Sequence, residues 1–442
     1  MATTTSATAA TETETATTTT TPTTTKKPVC ILCFGIASVD YIATVDHIPQ
    51  PDEKMRSSSL VVSGGGNAAN TACALARLAS SSESNLQLSV DLATAVGDDA
   101  NGKTILDGLE AFGVGVEDTI EICGGGTSPF SYVLVTPDQT RTIIHQPSLR
   151  DMSLEFCQTQ LVQKLKHQFY NAVHFDGRHP QAAVYLAQQC VALNIPYSLD
   201  VERPREGLLE LLEGASIVIC NSKYCDTVSQ LLSDDSSQQQ EDHIREEAKE
   251  EQPQPATPST ATDREIVRRL KQVMHDQAPR AQIVVQTLGA QGCCLVLMKR
   301  DKKNHRVKDD DDDDSIIGDA DIVLETDDET KTAPVVSHRD GALWCPAWGS
   351  CHVVDSTGAG DAFQGGLIAA LWAYLAANPQ LEQKSQKMTN QALAHAMRIA
   401  TRVAAKKLEQ PGAREGLPCV SDDAILQQEF EALLTRSEDG TK

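Results

Sequence analysis

Aromatic residues are scarce in this chain: Phe, Trp and Tyr make up 4% of its 442 residues. So few flat rings argue against base-stacking platforms for nucleic acid, and no basic patch is present to draw a phosphate backbone. Long apolar runs are missing too, and none approaches the roughly 18 residues that mark a membrane span. The first residues show no basic-then-apolar leader. Residues 1–27 contain no Arg, whereas an organelle transit segment is rich in it. The expected setting is therefore cytoplasmic, with neither membrane nor nucleic acid as partner. A balanced set of cysteines is the last absence. Thirteen is an odd number, which fits free thiols in a reducing compartment better than a disulfide framework.

What is present is a hydrophobic fraction of 40%, enough for a large α/β domain with a small appendage. The net charge of −23 is localised. Residues 234–263 carry −7 and residues 309–330 carry −12, leaving −4 for the remainder. The folded core is thus near neutral and poses no obstacle to an anionic ligand. The acidic stretches read as solvated insertions at about 232–263 and 299–335. Asp309–Asp314 form an unbroken acid run without the alternation or glycine of a calcium loop. The Thr-rich residues 1–27 and the end, 437–442, read as unstructured tails around a single domain, 28–436. Cys30 and Cys33, three apart in an apolar strand, point to opposite faces and are core residues rather than metal ligands. Cys293 and Cys294 read the same way.

The most informative stretch is Val354-Asp355-Ser356-Thr357-Gly358-Ala359-Gly360-Asp361-Ala362-Phe363. A short apolar approach stops at a carboxylate, a Gly-Ala-Gly turn follows, and an apolar helical run begins. Small residues at a helix start leave backbone N–H groups uncovered, and with the helix dipole they form an anion site. Asp361 stands at the mouth of that site. A carboxylate there is badly placed to bind phosphate but well placed to take a proton from a hydroxyl attacking one. Gly-Ala-Gly-Asp alone also reads as an ordinary helix start, so the rest of the chain must supply an acceptor site and a nucleotide site.

An acceptor site is found near the beginning. The strand 29–36 leads to Asp40, a carboxylate past the end of a buried strand. Gly64-Gly65-Gly66-Asn67-Ala68-Ala69-Asn70 then enters a helical run. Glycines admit close backbone approach, and Asn67 and Asn70 share one face of the helix start. Two carboxamides suit a polyol. The spacing is not GxGxxG, and no acidic partner for a dinucleotide follows. Strands are expected at 88–96, 116–122, 131–136 and 141–145. Strands and helices alternate from 170 on, which argues for a parallel sheet with crossover helices. Strand 282–286 ends in Thr287-Leu288-Gly289-Ala290-Gln291-Gly292, a glycine turn where a nucleotide is expected.

These strings resemble the two signatures of the pfkB, or ribokinase-like, carbohydrate kinases. The resemblance runs over about 28–420 apart from the insertions. Within that family His174-Phe175-Asp176-Gly177-Arg178, Asp200–Glu206 and Lys406–Ala413 are most similar to ketohexokinases and plant-type relatives. The resemblance implies a ribokinase-like α/β fold, a central mostly parallel sheet flanked by helices. A small β-sheet lid is expected, with strands within about 41–62 and 116–147, often also the homodimer contact. It implies an ATP-dependent kinase acting on a small sugar, most simply fructose at a hydroxymethyl group. Alternatives are another acceptor (ribose, a nucleoside, inositol or a modified sugar) or a non-catalytic binding protein on the same fold.

Carried over by position, Asp361 is the catalytic base and Gly358, Ala359 and Gly360 stabilise the transferring group. Asp40, Gly65, Gly66, Asn67, Asn70 and Arg141 hold the sugar. Asn221, Thr287, Gly289 and Gly292 belong to the nucleotide side. Mg2+ accompanies ATP, and in some relatives carbonyls near the positions of Asp355 and Thr357 contribute to a K+ site. The family's Asn-x-x-Glu is altered: Asn221 is kept and Tyr224 replaces Glu, which leaves the magnesium ligands unassigned.

Overall fold

The computed structural model describes residues 28–80, 88–138, 140–228, 263–298, 333–349, 351–379 and 388–435. The two tails and most of both acidic insertions lie outside these residues. In chain order the strands are β1 (Val29–Phe34), β2 (Ser38–Thr44), β3 (Ser59–Gly65), β4 (Leu88–Gly97), β5 (Ile120–Cys123), β6 (Phe130–Val135) and β7 (Arg141–Gln146). They continue with β8 (Ala172–Phe175), β9 (Tyr197–Val201), β10 (Ile217–Cys220), β11 (Ile283–Thr287), β12 (Cys293–Leu297), β13 (Ser337–Arg339) and β14 (Ala342–Cys345). The helices used below are α1 (Asn67–Ala79), α2 (Ala100–Ala111), α3 (Pro180–Ala192), α4 (Leu208–Gly214), α5 (Asp263–Gln277), α6 (Ala359–Ala377), α7 (Asn390–Leu408) and α8 (Ala424–Leu434).

The main sheet runs β13-β14-β12-β11-β10-β9-β8-β1-β4-β5. Every pair from β11 to β5 is parallel, and β12, β14 and β13 add an antiparallel edge. Strand β1 shows why the interior is parallel. Its six residues are all buried, as expected for a strand covered on both faces. Ile31 and Cys33 join one core, with α1, α6, α7 and α8. Cys30, Leu32 and Phe34 join the other, with α3, α4 and α5. The two-residue period thus separates Cys30 from Cys33 as expected, and Cys293 and Cys294 divide in the same way. None of the thirteen cysteines forms a disulfide.

A second sheet, β3-β2-β6-β7, forms the lid. The expected lid range of 116–147 is corrected at its start. Residues Ile120–Cys123 pair with β4 in parallel, Thr94 opposite Ile120, and so extend the main sheet. The hairpin β13–β14 is a further difference, since no strands were expected between the second acidic insertion and Asp355. Asp40 lies within β2, the lid's first strand, rather than in a loop past β1. The apolar approach before Asp355 forms no strand; instead Val354 donates its N–H to the Leu408 carbonyl at 2.7 Å.

Helix α6 is apolar around its circumference and buried from Asp361 to Ala373. It lies between α1 and α7, and its contact with α1 is closest at Gly365. A Cβ there would lie 2.5 Å from the Ala74 Cβ and 3.1 Å from the Thr71 carbonyl oxygen. This approach fixes the start of α6 against the start of α1. A Gly365→Val change is expected to destabilise the domain by about 1–3 kcal/mol through overpacking. Gly124→Ala, where an added Cβ meets nothing within 4 Å, should stay within about 0.5 kcal/mol. Urea unfolding midpoints at constant slope check both.

Candidate active site

Two helix starts meet at the carboxyl end of the parallel strands. The start of α1 is reached through β3 and Gly66, and α6 starts from the turn after Asp355. Thr357 donates its N–H (2.8 Å) and its hydroxyl (2.7 Å) to Asp355 Oδ1. Gly412 donates its N–H to Oδ2 at 2.8 Å. These bonds hold the Asp355 carboxyl below the usual range despite burial, with the nearby Lys407 ammonium helping. Asp355 therefore shapes the loop. Gly358 follows at φ 72°, in the left-handed region, where it caps α6.

A cavity of about 370 Å³ opens above this junction, large enough for a small polar ligand and part of a second. Asp361, Gly358, Gly360, Asp40, Gly66, Asn67, Asn70, Arg141, Asn221 and Thr287 all line it. Residues far apart in sequence are thus brought to one wall. Four of the expected site residues are not at that wall. Ala359 directs its N–H to the Ser356 carbonyl at 3.3 Å, closing the turn. Gly65 gives its carbonyl to Arg414. Gly289 and Gly292 belong to the tight β11–β12 connection, where Gly292 faces the Cys345–Ala347 backbone. The amides available to an anion in the cavity are therefore those of Gly358 and Gly360, with open space beyond the Gly360 Cα.

Asp361 is buried, and Asn70 Nδ2 donates to its Oδ2 at 2.8 Å. Burial pushes the Asp361 carboxyl up to about 8; the Asn70 bond opposes this, and the charges of Asp200, Glu202 and Asp176 add to it. Asp200, in β9, is likewise pushed up to about 7 by burial, against a hydrogen bond from Gln364. Asn67 Nδ2 lies 3.5 Å from Asp200 Oδ2. Asp40 faces Ser131 on β6 and Ser63 on β3 in the lid register. Its carboxyl is raised by burial, against Ser131, Arg414 and Ser38. Asp176 is structural: it accepts from the Ile36, Ala68 and Arg178 amides at 2.9, 3.1 and 2.9 Å, tying β1 to α1.

Arg141 reaches from the lid to the other side of the cavity. Its guanidinium donates to the Thr357 hydroxyl and lies 3.5 Å from Asp355 Oδ1. Arg178 also lines the cavity, and its Nε is buried without a hydrogen-bond partner. Burial, with the nearby Arg205, lowers its pKa. The buried Lys407 donates to the carbonyls of Asp355 (2.8 Å) and Gln410 (3.3 Å). The Asp355 carbonyl, one of the oxygens expected to face K+, thus already faces an ammonium.

At the ends of β10 and β11, Asn221 Nδ2 donates to the Glu202 carbonyl at 2.7 Å, and Thr287 Oγ1 donates to the Cys220 carbonyl at 3.3 Å. Tyr224, where a Glu was expected, is fully buried and away from the cavity. Glu202 is the cavity carboxylate beside Asn221. Asp200, Glu202, Arg178 and Gln364 were not among the expected site residues. A carboxylate at the end of a parallel strand is the signal that points to Asp200. Arg178 and Glu202 lie in the strings His174–Arg178 and Asp200–Glu206, which were noted in the sequence without being given a site role; Gln364 has no local signature.

Comparison with known proteins follows this geometry. The family model described as "pfkB family carbohydrate kinase" matches residues 30–309 and 331–419. An "ATP-dependent ribose-1-phosphate kinase" of Halopiger xanaduensis is 28% identical over 176 residues, 40% of this chain and 55% of that protein. The matched part thus spans about half of that curated relative's length. The ribokinase of Giardia lamblia superposes with a TM-score of 0.62 at 15% identity, covering 92% of this chain and 98% of that one. The Arabidopsis thaliana ribokinase complexed with ribose and ATP gives 0.57 at 17%, over 92% and 99%. The Xylella fastidiosa fructokinase with bound ATP gives 0.56 at 20%, over 92% and 99%. These structures share the fold.

A buried carboxyl with a pKa of about 8 is largely protonated at pH 7 and ionises as pH rises through 8. A carbon-13 titration of labelled Asp, subtracting the Asp361→Asn spectrum, should resolve one carboxyl titrating near that value. A value near 4 would refute the balance of burial and neighbouring charge described above.

Proposed function

The chain belongs to the pfkB family of carbohydrate kinases, and from that premise we propose that it transfers the γ-phosphoryl group of ATP to a hydroxymethyl of a small sugar. A ketohexose such as fructose is the first candidate. The observation that carries this reading is the buried Asp361 carboxyl at the start of α6, in one cavity with the Gly358 and Gly360 amides and the Asp40–Asn67 wall. Phosphoryl transfer needs positioning and charge stabilisation more than covalent chemistry.

In this reading Asp40 and Asn67 bind sugar hydroxyls and orient one of them toward Asp361. Asp361, once ionised, takes the proton of that hydroxyl. The Gly358 and Gly360 amides, backed by the α6 dipole, stabilise negative charge between donor and acceptor. The lid sheet covers the acceptor and keeps water from competing. Asn221 and Thr287 line the same cavity at the ends of β10 and β11, and in this reading they face the nucleotide. Magnesium would neutralise phosphate charge when bound. Among the described residues no group of three or more His, Cys, Asp or Glu is set to hold a metal ion. That fits an ion carried mainly by phosphates and water with one or two carboxylates, for which Asp200 and Glu202 are the candidates. A K+ requirement is disfavoured by the Lys407 ammonium at the Asp355 carbonyl.

A second reading, an acceptor that already carries a phosphate, is favoured by Arg178. Its guanidinium lines the cavity near His145 of the lid, and its buried Nε lacks a partner. The Halopiger relative is named for such a substrate. Homodimerisation through the lid is also proposed, supported by the exposed apolar Leu60, Val62, Ile143 and Ile144 of its strands. Light scattering of wild type and Ile144→Lys checks this, the dimer being expected to weaken in the variant.

The function is tested by magnesium-dependent ATP consumption with fructose, ribose, ribose 1-phosphate, adenosine, inositol or no acceptor. Fructose-dependent turnover that falls about 10²–10⁴-fold in Asp361→Asn is the expected result. A preference for ribose 1-phosphate, lost in Arg178→Met, would replace the ketohexose with the second reading. ATP consumption equal with and without every acceptor would refute the sugar-kinase assignment.

A further inference from the structure

Arg414 is buried, lies 53 residues beyond Asp361 in sequence, and belongs to no motif recognised in the chain. Its Nε donates to Asn70 Oδ1 at 2.9 Å, and one terminal nitrogen donates to the Gly65 carbonyl at 2.8 Å. The guanidinium passes over Gly64, where a Cβ would lie 2.1 Å from its other terminal nitrogen. Asn70 in turn donates to Asp361. An Asn carboxamide can take two orientations related by a half turn, with oxygen and nitrogen exchanged. A guanidinium has donors only. Only the Asn70 oxygen can therefore face Arg414, and this directs the Asn70 NH2 group toward Asp361.

We propose that Arg414 is a positioning residue that fixes the orientation of the Asn70 carboxamide, so that Asn70 stabilises the ionised form of Asp361. Without Arg414 the amide is free to turn its oxygen toward Asp361, which repels a carboxylate and accepts from a protonated carboxyl. Several charges face Asp361 from other elements: Asp200 and Glu202 from β9 and the residues after it, Asp176 after β8, and Lys407 from α7. Arg141 and Arg178 share the cavity. The carboxylates disfavour ionisation of Asp361, so the Asn70 bond is the close neutral donor working against them. Arg414 itself is faced by Asp40, Glu415 and Cys73. Asn70, expected to hold the sugar, is thereby committed on both sides: its oxygen to Arg414 and its amide to the base.

This inference rests on Asp361 being the base, but its test does not need turnover. The Asp361 carboxyl is titrated by carbon-13 spectroscopy in wild type, Arg414→Met, Asn70→Ala and the double variant, each checked for folding by thermal melting. Loss of one hydrogen bond to a charged group corresponds to an upward shift of about 1–2 pH units. We expect that shift in both single variants and no further shift when Arg414→Met is added to Asn70→Ala. An unmoved titration in Arg414→Met, or an equal Arg414→Met shift in the presence and absence of Asn70, overturns the proposal. If Arg414→Met does not fold, Arg414→Gln, whose carboxamide can donate or accept and so leaves the Asn70 amide free to turn, takes its place in the same cycle with the same criteria. If the chain is a kinase, the acidic limb of kcat/KM moves with the carboxyl. If it turns over no acceptor, the titration still decides the role of Arg414.

Discussion

The hydrogen bond between Asn70 and Asp361 joins the first turns of two helices 291 residues apart in sequence, and the cavity is organised around it. It depends on close packing further along the helices, where Gly365 allows α6 to lie against α1. It also depends on the sheet, because Asp176 ties the end of β1 to the start of α1. A buried carboxyl at this junction is under opposing influences. The helix start favours its charge, whereas burial and the carboxylates of Asp200 and Glu202 oppose it. The result is a group whose ionisation falls in the range where a general base works well.

The cavity divides along the same lines. Neutral donors and shielded acids from the lid and α1 face one end, which suits a polyol. Gly358 and Gly360 also line the cavity, as do Asn221 and Thr287 at the ends of β10 and β11. Arg141 connects the lid to the loop carrying Thr357. Asp355, the carboxylate that precedes the Gly-Ala-Gly turn, spends its oxygens on Thr357 and Gly412. Its role is to hold the turn that exposes the amides.

Short-range chemistry was readable in the chain. Helix starts, the all-buried β1 and the split of Cys30 from Cys33 follow from local periodicity and small-residue turns. Asp361, Gly358, Gly360, Asn67 and Asp40 stand in compact strings whose residue types already state their chemistry. That the Ala359 N–H closes the turn on the Ser356 carbonyl could not be read from a run of small residues, which does not reveal which of its amides folds back. Strand β5 fell inside the range expected to hold lid strands because four residues of alternating character do not say which sheet they will pair with. Gly289 and Gly292 form the tight β11–β12 connection, and such a turn uses the same residues as a ligand loop, so the sequence alone does not separate the two.

By itself the sequence determined the alternating α/β architecture, the two signature turns and the identity of the buried acid at the start of α6. Each of these is encoded within about ten neighbouring residues, where backbone preference and side-chain chemistry act directly. Only the tertiary structure decided which groups set the behaviour of that acid. Asp200 reaches it through the sheet order, and Arg414 reaches it through Asn70, 344 residues away in sequence. Lys407 is brought to the Asp355 carbonyl by the packing of α7. Contacts of this kind depend on burial and on the relative placement of whole elements, and no local pattern of residues records them.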